Sequence, residues 1–296
     1  MFRKHRLLPL LFVLLHFGGR LLSQSADQTV NRLYTQDIPG TPSTLLAIRA
    51  EKAAVTITGW EKNYIQLRIS FQASHPDKKI AQQELAYMRY ALTKEKDRIE
   101  LTNIFTLPAA IDRIQSKLAI KIELLVPENN ALDITDKYGN ITLSRLSGKI
   151  DLHISFGDLQ LTTISGQVKI AATYSEIRGS HVNTTSLHCT DEKSRIAMDL
   201  DSGNYTFLSK YGDIDLSLKK ISSLDIKSTR TDITLRPQDL NACRYRIVST
   251  DGTLYLPETY AARQVKKGNQ YAFITTGATT LPLLAVNANY NSVTIK

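Results

Sequence analysis

The sequence predicts an all-β fold, a single-chain parallel β-solenoid or β-helix with two strands per coil of roughly 18 residues and one short inserted helix. A turn followed by a strand recurs every nine residues, at 138–143, 147–152, 156–161 and 165–170. Apolar and polar residues alternate after each turn, which places every second side chain on one face. The residue before the turn glycine alternates between aromatic and serine, as in Tyr138, Ser147 and Phe156. Two strands therefore complete one coil, and each coil buries its apolar edge on its neighbours.

The turn glycines explain how the chain reverses so often. Glycine adopts positive φ without a steric penalty, so we expect Gly139 and Gly157 to supply the left-handed backbone position in each turn.

Residues 1–23 are predicted to be a signal peptide outside the fold. A basic segment at 3–6 precedes an apolar run at 7–17, and Leu21-Leu22-Ser23 fits a cleavage site. The apolar run is too short to span a bilayer comfortably. We therefore expect an exported protein of the periplasm, cell surface or extracellular space, which is not an integral membrane protein after cleavage.

The mature chain is predicted to begin with an N-terminal leader segment over 24–44, where Pro39, Gly40 and Pro42 interrupt any period. The β-solenoid domain then covers 45–296. Strand alternation appears over 45–50, 54–60 and 64–73. After Pro76, apolar residues at helical spacing predict the one short helix over 77–90.

Strand patterns return at 98–105 and 119–126, and the long repeat region begins at Leu132. Beyond Ile177 the turn phrases continue, with gaps that fit enlarged corners, at 193–196, 202–205, 211–214, 230–233 and 251–254. Segments 271–275 and 286–295 are predicted to be closing strands. Because no linker divides the mature chain, we expect one elongated domain.

Composition narrows the functional classes. Removal of the signal peptide takes away four positive residues and lowers the formal net charge from +9 to +5. Cations spread along strands keep the surfaces of a sheet soluble. No basic block with interleaved aromatic residues occurs, so nucleic acid is not an expected partner.

Cys189 and Cys243 are predicted to be separate thiols, with Cys189 in the core.

The repeated phrases Tyr-Gly-x-Ile-x-Leu and Ser-Gly-x-Ile-x-Leu, together with the segment at 55–61, resemble the bacterial putative-adhesin domain family. This family comprises repetitive β-strand envelope domains of unknown function. The resemblance covers residues 45–296 and is strongest over 138–233. It implies a β-helical fold, a cell-envelope location and an adhesion role, and it supplies no catalytic residues. The sequence departs from the family pattern at Ala53-Ala54, where a glycine turn is common.

No cofactor or metal site is predicted. Calcium-binding β-rolls need a fixed aspartate in every repeat, whereas the slot after the glycine holds Asn140, Lys149 and Asp158 in turn. A lysine there does not ligate calcium. His153 and His188 have no second ligand at zinc-site spacing, and neither a nucleophile elbow nor a phosphate-binding glycine loop occurs.

The aromatic series Tyr138, Phe156, Tyr174 and Tyr211 has two interpretations. Counting alternate residues along the strands places these side chains on the core side, which favours packing at the corners. The alternative is an exposed ladder on which sugar rings stack.

Four outward aspartates form the predicted ligand surface, namely Asp199, Asp201, Asp213 and Asp215. The favoured hypothesis is a non-enzymatic, exported cell-envelope protein that acts as an adhesin-like binding or scaffold module. Its expected partner is a cell-surface glycan or an envelope protein. One alternative is a β-helical polysaccharide hydrolase or lyase that uses these aspartates for acid/base catalysis. Another is a periplasmic partner of a membrane regulator.

Overall fold

The computed structural model describes residues 26–40, 44–109 and 111–296. The predicted signal peptide at 1–23 lies outside the described residues. The prediction of a mostly β chain is confirmed, because strands dominate and the helices are short. The sheet is mixed, however. Parallel pairing prevails through the middle of the chain, and antiparallel strands are added toward both ends.

The N-terminal part joins the first solenoid strands to antiparallel neighbours. Its strands are Gln28–Pro39 (β1), Leu45–Glu51 (β2), Ala53–Trp60 (β3), Tyr64–His75 (β4), Met88–Glu95 (β5), Arg98–Phe105 (β6) and Lys117–Pro127 (β7). The helix Lys78–Leu85 (α1) lies between β4 and β5. β2 and β3 pair in parallel with later strands, whereas β1 with β4, β4 with β7 and β5 with β6 are antiparallel.

Two predictions for this part need correction. The helix predicted over 77–90 is present but ends at Leu85, and Met88 already belongs to β5. The prediction of an irregular leader is wrong for Gln28–Pro39, which forms the antiparallel edge strand β1. β1 is exposed along most of its length. Because neither of its faces is fully buried, its sequence needs no apolar alternation.

The middle of the chain stacks parallel strands coil upon coil. Its strands are Ala131–Lys137 (β8), Asn140–Leu146 (β9), Lys149–Ser155 (β10), Asp158–Thr173 (β11), Glu176–Glu192 (β12), Arg195–Lys210 (β13), Asp213–Thr229 (β14) and Asp232–Pro237 (β15). Ile150 pairs with Val168, 18 positions later, and Glu176 pairs with Arg195, 19 positions later.

Pairing defines two faces of the stack. The second half of β11 pairs with β10, and its first half pairs with β9. We call the side that contains β8 and β10 the first face, and the side that contains β9 and β15 the second face. The long strands β11 to β14 continue from the second face to the first.

The C-terminal part closes the stack. Its strands are Arg244–Thr250 (β16), Thr253–Tyr255 (β17), Val265–Lys267 (β18), Gln270–Ile274 (β19), Leu283–Asn289 (β20) and Ser292–Ile295 (β21). The short helix Glu258–Ala261 (α2) precedes β18, and a 3-10 turn lies at Leu240–Ala242. β20 and β21 continue the parallel stack beside β14 and β15, whereas β19 is antiparallel to β16 and to β18.

One apolar core fills the space between the two faces. Ile150 and Leu152 of the first face and Leu159 and Leu161 of the second are all buried in it. Each such side chain stabilises the fold by about 1.5–3 kcal/mol relative to an exposed position. Cys189 is buried in the core as predicted, and the two cysteines are free thiols.

The turns after the first-face strands correct the expected role of glycine. Tyr138 and Phe156, not the glycines that follow them, adopt left-handed φ values of 61° and 58°. A Cβ on Gly157 would lie 1.8 Å from the carbonyl oxygen of Gly139 in the neighbouring coil. Glycine is therefore required here because successive turns stack closely, and the preceding aromatic residue takes the left-handed position.

Candidate functional site

One corner of the solenoid carries a column of exposed aromatic and basic side chains. Each residue directly follows a first-face strand, and its backbone N–H donates to a carbonyl oxygen in the next coil. The N–H of Tyr138 donates to Ser155 O at 2.9 Å, and that of Phe156 donates to Thr173 O at 3.0 Å. We call the aromatic and basic run of this column the ladder. In spatial order it consists of Tyr138, Phe156, Tyr174, Lys193, Tyr211, Arg230 and Tyr290, and Lys52 and Asp251 occupy the equivalent positions beyond its two ends.

The ladder side chains face solvent. The five aromatic members expose between 45% and 58% of their surfaces. The prediction that Tyr138, Phe156, Tyr174 and Tyr211 pack on the core side is therefore wrong. All seven ladder residues have φ between 51° and 61°. A left-handed residue interrupts the alternation of side-chain directions, so a count of alternate positions along the strand fails at the corner.

Three of the rings form a continuous stack. The ring centroids of Tyr138 and Phe156 are 5.2 Å apart with an interplanar angle of 15°, and those of Phe156 and Tyr174 are 5.1 Å apart with an angle of 9°. These distances match the spacing of neighbouring strands, about 4.8 Å. The stack therefore follows the solenoid axis with one ring per coil.

Cations continue the stack. The Lys193 ammonium lies 4.8 Å from the centroid of the Tyr174 ring and donates a hydrogen bond of 2.6 Å to its hydroxyl. This hydrogen bond raises the pKa of Lys193, so the side chain is cationic at neutral pH. The Arg230 guanidinium lies 5.5 Å from the Tyr211 ring and 5.9 Å from the Tyr290 ring. Aromatic and cationic groups thus alternate from Tyr174 to Tyr290.

The cost of left-handed backbone at the ladder residues nearly cancels the stability gained from their ring and cation contacts. A left-handed residue other than glycine costs about 1 kcal/mol. An aromatic pair contributes about 0.5–1.5 kcal/mol beyond its buried area, and an exposed cation–π contact about 0.5–1 kcal/mol. Asparagine tolerates left-handed φ better than tyrosine does. Folding stability therefore gives no strong reason for large aromatic side chains at this corner.

At Phe156 the ladder offers ring edges, not ring faces. Both faces of Phe156 are covered by Tyr138 and Tyr174, so a sugar ring has no open face to stack on there. The edge of an aromatic ring is electropositive, unlike its face. The exposed edges, hydroxyls and cations consequently favour ligand groups that carry oxygen atoms.

Shallow grooves run along both sides of the ladder. On the second-face side a groove of about 700 Å³ is lined by Phe156, Tyr174, Lys193 and Tyr211, with Arg195 and Asp213 beyond them. On the first-face side a groove of about 630 Å³ is lined in part by Lys210 and Lys227. A linear ligand lying along the axis would contact ladder and groove together.

The four predicted aspartates lie on neighbouring strands, Asp199 and Asp201 on β13 and Asp213 and Asp215 on β14. Asp199 and Asp215 line one shallow groove of about 440 Å³ on the second face. Asp213 instead borders the ladder groove. The four carboxylates are therefore spread along the surface and do not converge on one point.

Three of these carboxylates have cationic partners. Asp213 lies 3.5 Å from Nε of Arg195, and Asp215 forms an ion pair with Arg236. Asp201 lies 2.7 Å from Nζ of Lys219, whose pKa is raised by this hydrogen bond. These ion pairs lie on the outer surface of the sheet, where charged side chains keep it solvated.

Two buried carboxyl groups lie beneath the ladder corner. Asp136 precedes Tyr138 by two residues, and Asp191 precedes Lys193 by two residues. Burial raises the pKa of Asp136 to about 7, with a smaller contribution from nearby Glu51. Burial also raises the pKa of Asp191 to about 7, although a hydrogen bond from Ser209 opposes the shift. These groups are linked to stability, not to ligand contact, because their side chains point inward.

Among the described residues, no group of three or more His, Cys, Asp and Glu side chains is placed to hold a metal ion. Within the same part of the chain, the helices lack the length and apolar character needed to cross a bilayer.

Sequence reasoning missed Lys193, Arg230 and Tyr290 as members of the ladder. The signal was present, because each occupies the slot just before a turn residue equivalent to the glycine, as in Tyr138-Gly139 and Lys193-Ser194. Reading that slot as one column, whatever its residue type, would have identified the alternation of rings and cations.

The fold and its repeated turns define a repetitive β-solenoid-like domain. The chain belongs to the Toastrack DUF4097 family, whose sequence profile matches residues 44–289. This confirms the resemblance to the bacterial putative-adhesin domains. No curated protein matches the chain.

Several solved structures are similar to this chain at low sequence identity. A putative adhesin from Parabacteroides merdae has a TM-score of 0.52 at 11% identity, over 90% of this chain and 96% of that one. A putative lipid binding protein from Parabacteroides distasonis has a TM-score of 0.48 at 8% identity, over 89% and 96% of the two chains. A putative adhesin from Bacteroides fragilis has a TM-score of 0.46 at 10% identity, over 90% and 97%. The first likeness supports the fold.

Proposed function

We propose that this protein is an exported, adhesin-like binding module of the cell envelope that holds a linear polysaccharide along the ladder. The observation that carries the proposal is the row of exposed rings and cations at a corner where folding gives no strong reason for them.

The shape of the ladder favours a polymer over a small molecule. Its members repeat along the solenoid axis at the strand spacing of about 4.8 Å. The flanking grooves are open and shallow, whereas small-molecule sites are usually concave and enclose most of the ligand. A polymer lying along the axis makes many weak contacts, each with one ladder residue.

The same geometry favours binding over catalysis. Glycoside hydrolysis needs two carboxyl groups that flank one bond, one of them a protonated acid. The aspartates of the second face are distributed along the sheet, and Asp201, Asp213 and Asp215 are paired with cations. An open, flat wall also provides no enclosed site for chemistry. We therefore favour a non-enzymatic module over a polysaccharide hydrolase or lyase.

Export is part of the proposal. It is supported by the signal peptide predicted at 1–23 and by the adhesin descriptions of structurally similar proteins. Fractionation of cells that express the full chain tests it. We expect the mature protein in the periplasmic or surface fraction with Gln24 as its first residue, and a cytoplasmic protein that retains Met1 would contradict export.

Retention on immobilised polysaccharides tests the binding surface. The panel should contain neutral and acidic linear polymers, and the proteins should be the wild type, Tyr174→Asn, Tyr211→Asn and the control Tyr255→Asn. Tyr255 is 57% exposed on β17 and lies outside the ladder. We expect at least one polymer to retain the wild type and the control but to release both ladder variants earlier. Equal retention of all four proteins, or retention of none, would contradict the proposal.

The same panel tests the enzymatic alternative. Each polymer is incubated with wild type and with Asp213→Asn, and newly formed reducing or unsaturated ends are measured. We expect no product from either protein. Turnover that Asp213→Asn abolishes would replace the binding module with a carbohydrate-active enzyme.

A further inference from the structure

We call Tyr174 to Tyr290 the basic half of the ladder. It contains two cations, which are absent from the stack of Tyr138, Phe156 and Tyr174. From Tyr174 to Tyr290 the order is ring, ammonium, ring, guanidinium, ring. Lys193 and Arg230 are two rungs apart, which places them about 10 Å from one another along the axis. Phenolic ring edges separate the two cations.

Further cations lie beside this half. Lys210 and Lys227 are exposed in the first-face groove, and Glu192 is the acidic residue that shares it with them at the surface. On the other side, Arg195 is paired with Asp213 at 3.5 Å, and Asp158 and Glu176 line the same groove. The first-face side of the basic half therefore carries an excess of positive charge.

The two ladder cations are held in place by their neighbours. Lys193 is fixed by its hydrogen bond to the hydroxyl of Tyr174, whose own proton is then free to point outward. Arg230 lies between the Tyr211 and Tyr290 rings, with its guanidinium carbon 5.5 Å and 5.9 Å from their centroids. Its planar edge remains available, and that edge matches a carboxylate through two parallel hydrogen bonds.

We propose that the basic half of the ladder binds a carboxylated, uronate-type polysaccharide, with Lys193 and Arg230 contacting carboxylates on the same polymer. This assignment deepens the proposed function and rests on it. The sugar rings that lie between the two bound carboxylates place their hydroxyl oxygens against the side chains of Tyr174 and Tyr211. There they meet the electropositive ring edges and the phenolic hydroxyls. A neutral glycan leaves both cations without carboxylate partners.

Binding to polygalacturonate tests the assignment, with its fully methyl-esterified form as the uncharged match. The proteins are the wild type, Lys193→Gln, Arg230→Gln and the control Lys169→Gln. Lys169 is an exposed lysine on the first face, away from the ladder, so its replacement changes net charge equally. We expect each ladder variant to bind polygalacturonate roughly two- to fivefold more weakly, as for exposed ion pairs. We expect the control to match wild type and the affinity to fall as salt concentration rises.

Other outcomes would overturn the assignment in distinguishable ways. Equal wild-type binding to the methyl ester, or an equal loss in Lys169→Gln, would show that no ladder carboxylate contact exists, while the proposed function would stand. Polyphosphate that competes as well as free galacturonate polymer would show that charge alone is recognised. Retention on neutral polymers that requires Tyr211, without binding to polygalacturonate, would likewise preserve the proposed function and remove this inference.

Discussion

The two corners of the solenoid solve the same geometric problem with different side chains. At the ladder corner, left-handed positions are held by Tyr138, Phe156 and other large residues. At the opposite corner, Arg145, Thr163 and His181 adopt similar φ values, and small polar residues complete the turns. There Thr185 Oγ1 donates to Gly166 O at 2.9 Å.

The small polar residues of this second corner form their own connections between coils. The side-chain amide of Asn204 donates to Thr185 O at 3.1 Å, and Ser223 donates to Asn204 Oδ1 at 2.8 Å. Several polar side chains of the second corner thus bond to neighbouring coils, whereas the ladder leaves ring edges, hydroxyls and cations directed at solvent. Turning the chain does not require large aromatic residues, and the proposed recognition role rests on this difference between the corners.

The largest expected effect concerns the stacked turns on which the ladder depends. In Gly157→Val, the new Cβ would collide with the carbonyl oxygen of Gly139, 1.8 Å away. Separating the coils would destabilise the protein by roughly 3 kcal/mol or more, measured by denaturant unfolding. The matched control is Gly268→Ala, where φ is +60° and no atom lies within 4 Å. Its expected loss is about 1 kcal/mol, from backbone strain alone. Equal effects would contradict the stacking account.

The next effect concerns the buried carboxyls beneath the ladder. Burial raises the pKa values of Asp136 and Asp191 to about 7, from an ordinary aspartate value of 3.8. Because the folded state favours the protonated form, each contribution to stability is fully present below pH 3.8 and is lost as the pH rises through about 7. Asp136→Asn and Asp191→Asn should therefore stabilise the protein by roughly 1–3 kcal/mol at pH 8.

The same substitutions should have smaller effects at pH 5. Urea unfolding at both pH values measures the difference, with Asp225→Asn on the outward side of β14 as the control for removing a carboxyl group outside the core. A gain that is equal at pH 5 and pH 8 would show that these carboxyls do not titrate with folding.

A smaller loss is expected at the second corner. Asn204→Ala removes the side-chain hydrogen bonds to Thr185 and Ser223. Because the site is exposed, we expect a loss of roughly 0.5–1.5 kcal/mol in unfolding free energy and unchanged polysaccharide retention. Reduced retention with an intact fold would place ligand contacts at the second corner and break the contrast between the corners.

Much of the architecture follows from the sequence. The recurrence of the turn phrase and the alternation around Ile150 and Leu159 predict the repeated strands and their buried sides, because burial requires that alternation. Pairing direction is not contained in such a pattern. The antiparallel strands β1, β4 and β19 therefore emerge only from the structure. β5 was missed because helical spacing continues through Met88, although the helix itself ends at Leu85.

The candidate site was less predictable. The sequence identifies Tyr138, Phe156, Tyr174 and Tyr211 as equivalent positions. Counting alternate residues along the strand, however, assigns their side chains to the core, because that count assumes extended backbone through the turn. The cations are recognised as members of this column only when Lys193 is aligned with the aromatic residues at equivalent positions of the other coils. The use of Asp199, Asp201, Asp213 and Asp215 as a ligand surface stays a prediction.

The most direct test separates stability from binding at a single ladder residue. Tyr211→Asn removes one cation–π contact with Arg230 and relieves left-handed strain, two effects of about 0.5–1 kcal/mol that oppose each other. We predict that the unfolding free energy changes by less than about 0.5 kcal/mol, while retention on the polysaccharide that holds wild type falls clearly. A strongly destabilised variant, or a stable one that still binds as wild type does, would contradict the claim that the ladder exists for recognition.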